Sequence, residues 1–332
     1  MENTNPRPTY SQNWREYTQG QVNEKAKFLE LLYALCQLLE EPIQHMGRPR
    51  IPAADRIFSS VFKVYSMLSG RRFMSDLAEA KRRGFVEMTP TYSAISRYLE
   101  SEELTPLLKQ LIIESSLPLK GVECDFAIDS SGFSTGLYRK WVDTKWGKPE
   151  FPGQRKRAVQ LQDWVKVHLM CGVKTNIITA VEITHARSGD SLQFAPLVEQ
   201  TSQNFSMREV SADKAYTSAK NLYLVVSKGA QPYIPFRKNT NVNQLYNTNG
   251  QTSFWKKMYH WYMANQDEFY QHYHKRSNVE CTFSMLKRKF GERLRSKTRI
   301  AQENEMLCKI LAHNLCVVVQ SMYELGITPN FS

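Results

Sequence analysis

The sequence predicts an α/β protein in which a small all-α domain precedes a domain built on a mixed β-sheet. Up to residue 116, apolar residues recur at the three- and four-residue spacing of amphipathic helices. Near residue 117 the pattern changes to the alternation typical of a half-buried strand. With 42% hydrophobic residues in 332, the chain is expected to bury a large core and not to be disordered.

The helical domain is expected over residues 22–116, after a polar, proline-containing flexible arm at 1–21. Its amphipathic segments are 22–41, 53–69, 72–83 and 90–100. The last two flank a turn at Gly84 and carry several arginines and lysines, an arrangement that permits a helix-turn-helix reader of DNA. Plain helical packing or self-association fits the same pattern.

The sheet domain is expected over residues 117–332. The first strand alternates apolar and polar residues from Val122 to Asp129, and the sequence Ser130-Ser131-Gly132 then predicts a turn. Further strands are predicted at 164–172, 177–185, 208–213 and 231–236, with helices at 190–203 and 217–228. The remaining chain is predicted to be helical at 254–272, 273–292 and 302–325. Three strands, then helix, strand, helix and strand, describe a ribonuclease-H-like order.

Charge and cysteine content narrow the class of partner. The chain has 44 Lys and Arg against 32 Asp and Glu, a net charge of +12, which favours a polyanion such as nucleic acid or an anionic membrane surface. No apolar run is long enough to span a membrane, and the N-terminus lacks a signal-peptide core, so a cytoplasmic protein is expected. The six cysteines form no Cys-x-x-Cys pair, which argues against a disulfide framework or zinc knuckle.

Three carboxylates are candidates for one site. Asp129 is predicted to end the first strand, Asp213 the fourth, and Glu280 lies on a late helix. If the two strands are neighbours, Asp129 and Asp213 meet at one edge, and a helix packed across that edge brings Glu280. Such carboxylates would repel one another unless a hard divalent cation such as magnesium or manganese neutralised them. Two ions of this kind support cleavage and transfer of phosphodiesters.

Other acidic and imidazole groups compete for this role. Asp125 lies on the same strand face as Asp129 and is an alternative ligand, although the Asp-Ser-Ser-Gly context favours Asp129. Asp190 is more typical of a helix N-cap. His185, near the same turn, is expected to have a structural role.

The segment from Tyr273 to Lys287 places polar residues beside an apolar helical stripe. On a continuous helix, Tyr273, Arg276, Glu280 and Lys287 fall on one side. A carboxylate flanked by an arginine and a lysine suits a site that holds metal and phosphate together. Ordinary charge pairs on a solvated face also fit this spacing.

Three pieces of the chain resemble the conserved regions of the DDE transposases of bacterial insertion sequences, in the broad group of insertion sequence families 4 and 5. They are Ala127-Ile128-Asp129-Ser130-Ser131-Gly132, Ser211-Ala212-Asp213-Lys214-Ala215-Tyr216 and the signature Tyr273-x2-Arg276-x3-Glu280-x6-Lys287. The resemblance covers about residues 117–325 and implies a ribonuclease-H-like catalytic domain. It implies that Asp129, Asp213 and Glu280 bind two Mg²⁺ or Mn²⁺ ions, and that Tyr273, Arg276 and Lys287 contact phosphate and the transposon end.

The implied activity is that of a transposase with endonuclease and strand-transfer steps. Such a protein binds the terminal inverted repeats of its element, cuts DNA and joins the 3′-hydroxyl ends to target DNA. The resemblance also implies a homodimer on DNA, in a prokaryotic cytoplasm and associated with the nucleoid. A domesticated, sequence-specific DNA-binding protein without cleavage activity is the alternative. A membrane-surface protein would need a basic amphipathic anchor helix, and the sequence shows none.

Two basic stretches are expected to contact DNA phosphates, which gives affinity without sequence choice. One is the loop 138–158, with Arg139, Lys140 and Trp141, and the other runs from Lys287 and Arg288 to Arg299. The interval 237–272 is a short, helical, aromatic insertion where some relatives carry a large β-rich one, which leaves hairpin cleavage open. Its Trp255 or Trp261 could stack on an unpaired base, although aromatic stripes at helical spacing are also typical of cores.

Overall fold

The computed structural model describes residues 13–41, 46, 50–135, 164–186, 188–240 and 251–331. Its α-helices are α1 (Trp14–Cys36), α2 (Ala53–Ser66), α3 (Gly70–Arg82), α4 (Tyr92–Leu99), α5 (Leu104–Ser116), α6 (Ser191–Asn204), α7 (Ala219–Ser227), α8 (Gln251–Ala264), α9 (Gln266–Tyr273), α10 (Ser277–Phe290) and α11 (Arg299–Glu324). Its strands are β1 (Asp125–Ser134), β2 (Trp164–Gly172), β3 (Ile178–His185), β4 (Glu209–Ala212) and β5 (Gln231–Tyr233). Short 3-10 helices occupy Leu117–Leu119, Lys214–Tyr216 and His274–Arg276.

The strands form one mixed sheet in the order β3-β2-β1-β4-β5. β1 is antiparallel to β2 and parallel to β4, and β4 is parallel to β5. This arrangement confirms a mixed α/β fold, consistent with a ribonuclease-H-like domain, and it confirms that the first and fourth strands are neighbours. The sheet therefore brings together two chain segments that are about eighty residues apart in the sequence.

β1 is longer than the sequence predicts. The turn predicted at Ser130-Ser131-Gly132 is wrong, because β2 pairs with β1 as far as Ser134. Gly132 fits this pairing for a steric reason, since a Cβ there would lie 2.9 Å from the ring of Trp164. Asp129 therefore lies within β1, at the point where the parallel pairing with β4 ends.

The N-terminal helices share a hydrophobic core with the late helices. α11 packs against α1, α2, α4 and α5 and also contacts β3 and α10. One continuous core runs from Phe28 and Phe62 through Leu111 to Leu286 and Leu311. The predicted boundary near residue 117 is thus not marked by a break in the core.

The predicted flexible arm at 1–21 is wrong from Trp14 onward, where α1 begins. The side chain of Asn13 accepts a hydrogen bond from the backbone N–H of Glu16 at 3.5 Å, in the manner of an N-cap. Residues 1–12 lie outside the described residues. The polar composition that suggested an arm reflects the exposure of this first part of the helix, where Trp14 is 70% exposed.

α11 is also long and apolar enough, by length and composition, to cross a membrane. However, 78% of its apolar stretch is buried inside the protein, as in a core helix.

All six cysteines are free thiols, and Cys36, Cys171, Cys308 and Cys316 are buried.

The second face of the sheet is covered by α6, α7 and the aromatic helices α8 and α9. The sequence predicts one helix at 254–272, but the chain breaks at Asn265, which has φ −125° and ψ 39°. Trp255 is 7% exposed and packs edge-on against Phe236 at a ring distance of 4.8 Å. Trp255 is therefore a core residue, and this part of the insertion is helical as predicted.

Candidate active site

The first two carboxylates follow adjacent positions of two parallel strands. The register pairs Ile128 of β1 with Ala212 of β4, and Asp129 and Asp213 come next in their segments. The side chain of Asp213 accepts a hydrogen bond from the backbone N–H of Lys214 at 2.6 Å and caps the 3-10 helix that follows β4. Asp129 accepts one from the N–H of Ser130 at 2.8 Å. Local backbone contacts therefore orient both carboxylates at the carboxyl end of β4.

The third carboxylate comes from α10, which packs on β1 through Val279, Phe283 and Leu286. Glu280 lies beside this buried stripe and its side chain is 56% exposed. The guanidinium of Arg276 donates one hydrogen bond to Asp129 Oδ2 at 2.6 Å and another to Glu280 Oε1. One arginine thus connects a carboxylate of the sheet with a carboxylate of the helix.

The continuous helix predicted through Tyr273, Arg276, Glu280 and Lys287 is wrong at its first turn. Tyr273 ends α9, and Arg276 lies in the 3-10 helix His274–Arg276 that precedes α10. Because that helix and α10 follow one another directly, Arg276 and Glu280 still pair at the i,i+4 spacing.

The carboxylates influence one another electrostatically. Burial raises the pKa of Asp129 above its ordinary value, and the charges of Asp213 and Glu280 raise it further. The N–H of Ser130 and the guanidinium of Arg276 oppose the rise without cancelling it. The single arginine therefore does not balance the negative charge of this cluster.

Asp129 and Glu280 open into a groove of about 520 Å³, whose wall also includes Ser131, Lys287 and Arg288. The ammonium of Lys287 donates a hydrogen bond to Ser131 Oγ at 2.8 Å and lies 5.4 Å from the ring centre of Phe133. Acidic groups and basic groups thus share one open groove, which is the charge pattern that binding a cation and a phosphate together requires.

The remaining predicted DNA-contacting residues differ in how they are placed. Tyr273 is half-buried, its ring stacks on Phe269 at 6.3 Å, and burial raises the pKa of its hydroxyl. The charges of Arg276, Asp213 and Asp129 act on that hydroxyl, so Tyr273 adjoins the carboxylates. The whole loop 138–158, with Arg139, Lys140 and Trp141, lies outside the described residues.

Asp125, the alternative ligand, belongs to a separate cluster about 13 Å along the strand from Asp129. Its carboxylate accepts hydrogen bonds from Arg208 at 2.7 and 2.8 Å and from Lys275 at 2.8 Å. Lys275 also donates to Glu209 at 2.7 Å, and His272 Nδ1 lies 2.9 Å from Glu209. Asp125 is thus already engaged by two cations.

The sequence did not reveal a polar cluster on the reverse face of the sheet. Asp190 stands at the N-cap position of α6, as predicted, but its side chain makes no capping hydrogen bond. It accepts a hydrogen bond from Ser130 Oγ at 3.0 Å and pairs with Lys166, while His168 Nδ1 lies 3.5 Å away. Ser130 is the neighbour of Asp129, so this cluster supports the strand from behind. The pairing of Ser130 with His168 across β1 and β2 has no local sequence signal.

The donor set suits a divalent cation in chemistry and charge. Asp129, Asp213 and Glu280 offer only carboxylate oxygens, the ligands that hard cations prefer. Among the described residues, no group of three or more His, Cys, Asp or Glu side chains is close enough together to hold an ion. Arg276 supplies the positive charge between Asp129 and Glu280. The chemistry of the three carboxylates therefore fits such an ion, while in this arrangement Arg276 occupies Asp129 and Glu280 and the three do not form a closed ligand set.

A family model described as a transposase DDE domain matches residues 120–315. The chain belongs to this transposase family. The match covers more than half of the chain and includes Asp129, Asp213, Arg276 and Glu280. No curated protein and no solved structure matches the chain. Membership in the transposase family connects the chain with DNA binding, DNA cleavage and transposition in general, and with the divalent metals that DDE transposases generally use.

Proposed function

We propose that this chain is the transposase of a bacterial insertion sequence of the family 4 and 5 type. It binds the terminal inverted repeats of its own element, cuts phosphodiester bonds and joins the 3′-hydroxyl ends to target DNA. The observation that carries the proposal is that Asp129, which lies next to Asp213 across two adjacent parallel strands, shares a groove with Glu280 of α10 and with Lys287. The Tyr-x2-Arg-x3-Glu-x6-Lys spacing supports the subtype.

Asp129, Asp213 and Glu280 would hold two Mg²⁺ or Mn²⁺ ions. When bound, such ions supply an activated water or 3′-hydroxyl and stabilise the leaving oxygen of the phosphodiester. The carboxylates themselves serve as fixed anionic ligands, and the backbone amides of Ser130 and Lys214 hold two of them in orientation. The electrostatic repulsion among the three favours the uptake of positive charge at this point.

The basic and hydroxyl side chains of the groove position the DNA strand. A guanidinium can bind a phosphate through two parallel hydrogen bonds, so Arg276 can exchange a carboxylate partner for a phosphate. The ammonium of Lys287 is held at the groove by Ser131 and can donate to a non-bridging phosphate oxygen. Tyr273 adjoins Arg276 and would contact the DNA backbone. Arg288 in the groove wall, with Arg139, Lys140 and Trp141 of the loop before β2, would extend the track.

Joining two element ends to a target calls for two protein copies on the DNA, so we expect a homodimer in the DNA complex. The complex would act in the prokaryotic cytoplasm, on the nucleoid. The net charge of +12 supports the association with DNA.

The test is a Mg²⁺- or Mn²⁺-dependent cleavage and joining assay on the DNA that flanks the gene. The wild type is compared with Asp213→Asn and Glu280→Gln. Glu182→Gln serves as the matched control. Glu182 is a carboxylate of the same sheet, it does not line the groove, and its Oε2 lies 2.8 Å from the ammonium of Lys109. We expect the wild type and the control to cut and join, while both site variants bind DNA and remain inert.

The other outcomes discriminate between the hypotheses. Site variants that match the wild type would show that the carboxylate assignment is wrong. A wild type that binds the ends but neither cuts nor joins them would favour the domesticated DNA-binding protein. The products of an active wild type also show whether the second strand is cut through a hairpin.

A further inference from the structure

A second pocket lies between the N-terminal helices and the loop that joins α10 to α11. Its volume is about 380 Å³, and it shares no wall residue with the groove at Asp129. Its walls come from α2, from α4, from Gly70 at the start of α3 and from the segment 290–309. Phe290, at the end of α10, contributes to the wall, and it lies about 15 Å along the helix from Glu280. The pocket is thus within one turn of duplex DNA from the carboxylates.

Positive charge predominates in this pocket. Its wall carries the cations Lys63, Arg295, Lys297 and Lys309 against the carboxylates Glu100 and Glu305. Glu305 is buried and already engaged, since it accepts hydrogen bonds from the backbone N–H of Arg295 at 2.9 and 3.0 Å and from that of Ser296 at 2.8 Å. Four cations against two carboxylates leave a formal excess of two positive charges.

Lys63 is the most informative of these cations. It is half-buried on α2, and among the described residues its ammonium has no hydrogen-bond or ion-pair partner. Burial lowers its pKa, and the positive charge of Arg295 lowers it further, although Glu305 opposes the change. A partly desolvated ammonium that faces a guanidinium costs free energy unless an anion joins the two.

The loop that carries Arg295 is held rigidly in place. The buried ammonium of Lys309 donates to the carbonyl oxygens of Gly291 at 3.0 Å and Arg293 at 2.8 Å. The guanidinium of Arg295 donates to the carbonyl oxygen of Met67 at 2.8 Å, which uses one of its five N–H donors. Arg295 and Lys309 are therefore held in place before any ligand arrives, which reduces the entropy lost on binding.

The start of α3 supports the same reading. Gly70 lines the pocket without a side chain, and the N-cap residue Ser69 makes no side-chain capping hydrogen bond. The first backbone N–H groups of a helix lack intrahelical partners and carry partial positive charge. This end of α3 adds hydrogen-bond donors to the cations of the wall.

We propose that the pocket between α2, α4 and the α10–α11 loop binds a phosphate group, with Lys63 and Arg295 as its principal ligands. The phosphate belongs to the backbone of bound DNA, a source that rests on the proposed function. The pocket thereby connects the N-terminal helices and the catalytic groove to one DNA strand. Free inorganic phosphate has the same chemistry, so the two sources are separated by experiment.

The first experiment measures thermal unfolding of the full chain in inorganic phosphate and in chloride at equal ionic strength and pH. The melting temperature of the wild type should rise with phosphate concentration. Lys63→Met should abolish this rise and, without phosphate, should melt above the wild type, because it removes an unpaired ammonium. Lys228→Met, which follows α7 on the opposite face of the sheet, should retain the full phosphate effect.

Lys63→Met is thus expected to have a higher melting temperature than the wild type without phosphate and to lose the further rise with phosphate. A misfolded variant would have a lower melting temperature, so it cannot imitate this result. A phosphate-dependent rise that persists undiminished in Lys63→Met would overturn the proposal. A wild type that phosphate does not stabilise beyond chloride would overturn it as well.

The second experiment identifies the source of the phosphate. End DNA is prepared with one neutral methylphosphonate linkage at a time, and its affinity is measured for the wild type and for Lys63→Met. At one linkage, the neutral group should weaken binding to the wild type about tenfold, and it should weaken binding to Lys63→Met no further. The affinity of Lys63→Met for DNA should also depend less steeply on salt concentration than that of the wild type, by the amount expected for the loss of about one phosphate contact.

If phosphate stabilises the wild type but no linkage is coupled to Lys63, the DNA source is overturned and the pocket binds free phosphate. If the chain binds no end DNA, the proposed function fails while the unfolding experiment still decides the pocket.

Discussion

Two clusters of opposite charges lie on one face of β1, four residues apart, and they differ in charge balance. At Asp125, two carboxylates meet Arg208, Lys275 and His272. At Asp129, two carboxylates, Asp129 and Glu280, pair with Arg276, and the charge of Asp213 acts on Asp129 as well. The neighbouring residues Lys275 and Arg276 supply the cations from one 3-10 helix, so the same short segment serves both clusters.

The pKa values of Asp125 and Asp129 differ in the direction that the charges around them predict. Burial alone would raise the pKa of Asp125, but hydrogen bonds from Arg208 and Lys275 outweigh it and the net change is downward. At Asp129, burial and the neighbouring carboxylates prevail and the pKa is raised. The satisfied cluster fastens the segment before α10 to the sheet, whereas the unsatisfied cluster retains negative charge for a ligand. Burial opposes the charged form at both aspartates, and the hydrogen bonds of two cations outweigh it only at Asp125.

The largest expected effect comes from exchanging the two aspartates for asparagine. Asp129→Asn should reduce DNA cleavage by about 10² to 10³, because a metal ligand contributes several kcal/mol to transition-state stabilisation. Its free energy of unfolding should not fall, because one repelling charge is lost. Asp125→Asn should retain cleavage per folded molecule and lose stability. Cleavage rates and urea unfolding of both variants measure the contrast, and a loss of cleavage confined to Asp125→Asn would reverse the roles.

Replacing the adjacent cations Lys275 and Arg276 should have smaller effects, and the two substitutions should change stability in opposite ways. Lys275→Met should lower the free energy of unfolding by about 2 kcal/mol, less than for a fully buried pair because Lys275 is 28% exposed. Arg276→Met should be stabilised by Mg²⁺ more than the wild type, because no guanidinium competes for Asp129 and Glu280. Thermal unfolding with and without Mg²⁺ tests this pair. Equal Mg²⁺ effects on wild type and Arg276→Met would contradict competition between the arginine and the metal.

The smallest expected effect is on the stability of the fold at acidic pH. Because the folded protein holds the pKa of Asp125 below its ordinary value of 3.8, this group stabilises the fold above that pH. The stabilisation is lost as pH falls through the lowered pKa. Asp125→Asn should therefore lose less stability than the wild type on acidification below about pH 4. Urea unfolding across this range measures the slopes, and parallel slopes would remove Asp125 from the acid response.

The local spacing of apolar and polar residues predicted most of the helices and strands of this protein. Alternation on β1 placed Asp125 and Asp129 on one face, and the adjacency of the first and fourth strands, assumed from the sequence, is met by the order of the sheet. Alternation could not choose between the two aspartates, and the surrounding Asp-Ser-Ser-Gly motif made that choice. The partners that distinguish them, Lys275 and Arg276, lie about 150 residues away in the sequence. No local signal encodes such contacts.

The wrong predictions have the same origin. Serine and glycine suggested a turn after Asp129, but pairing with β2 extends β1 to Ser134. The N-cap position of Asp190 was predictable, yet its side chain binds Ser130 and Lys166 across the sheet. In both cases a tertiary partner overrides a local preference.

Asn314 of α11 has a consequence for how such a protein can be inherited. Its side chain accepts a hydrogen bond from the N–H of Ile178 at 2.9 Å, and donates to the carbonyl oxygen of Ile178 at 2.7 Å and to Ser115 Oγ at 3.0 Å. One residue near the C-terminus thus links the last N-terminal helix to the sheet. A recombinant gene that took its first 116 codons from a relative would also need an α11 that matches α5. We therefore expect a single crossover near codon 117 to leave the contact between Ser115 and Asn314 mismatched wherever the relative lacks a hydrogen-bonding side chain at position 115.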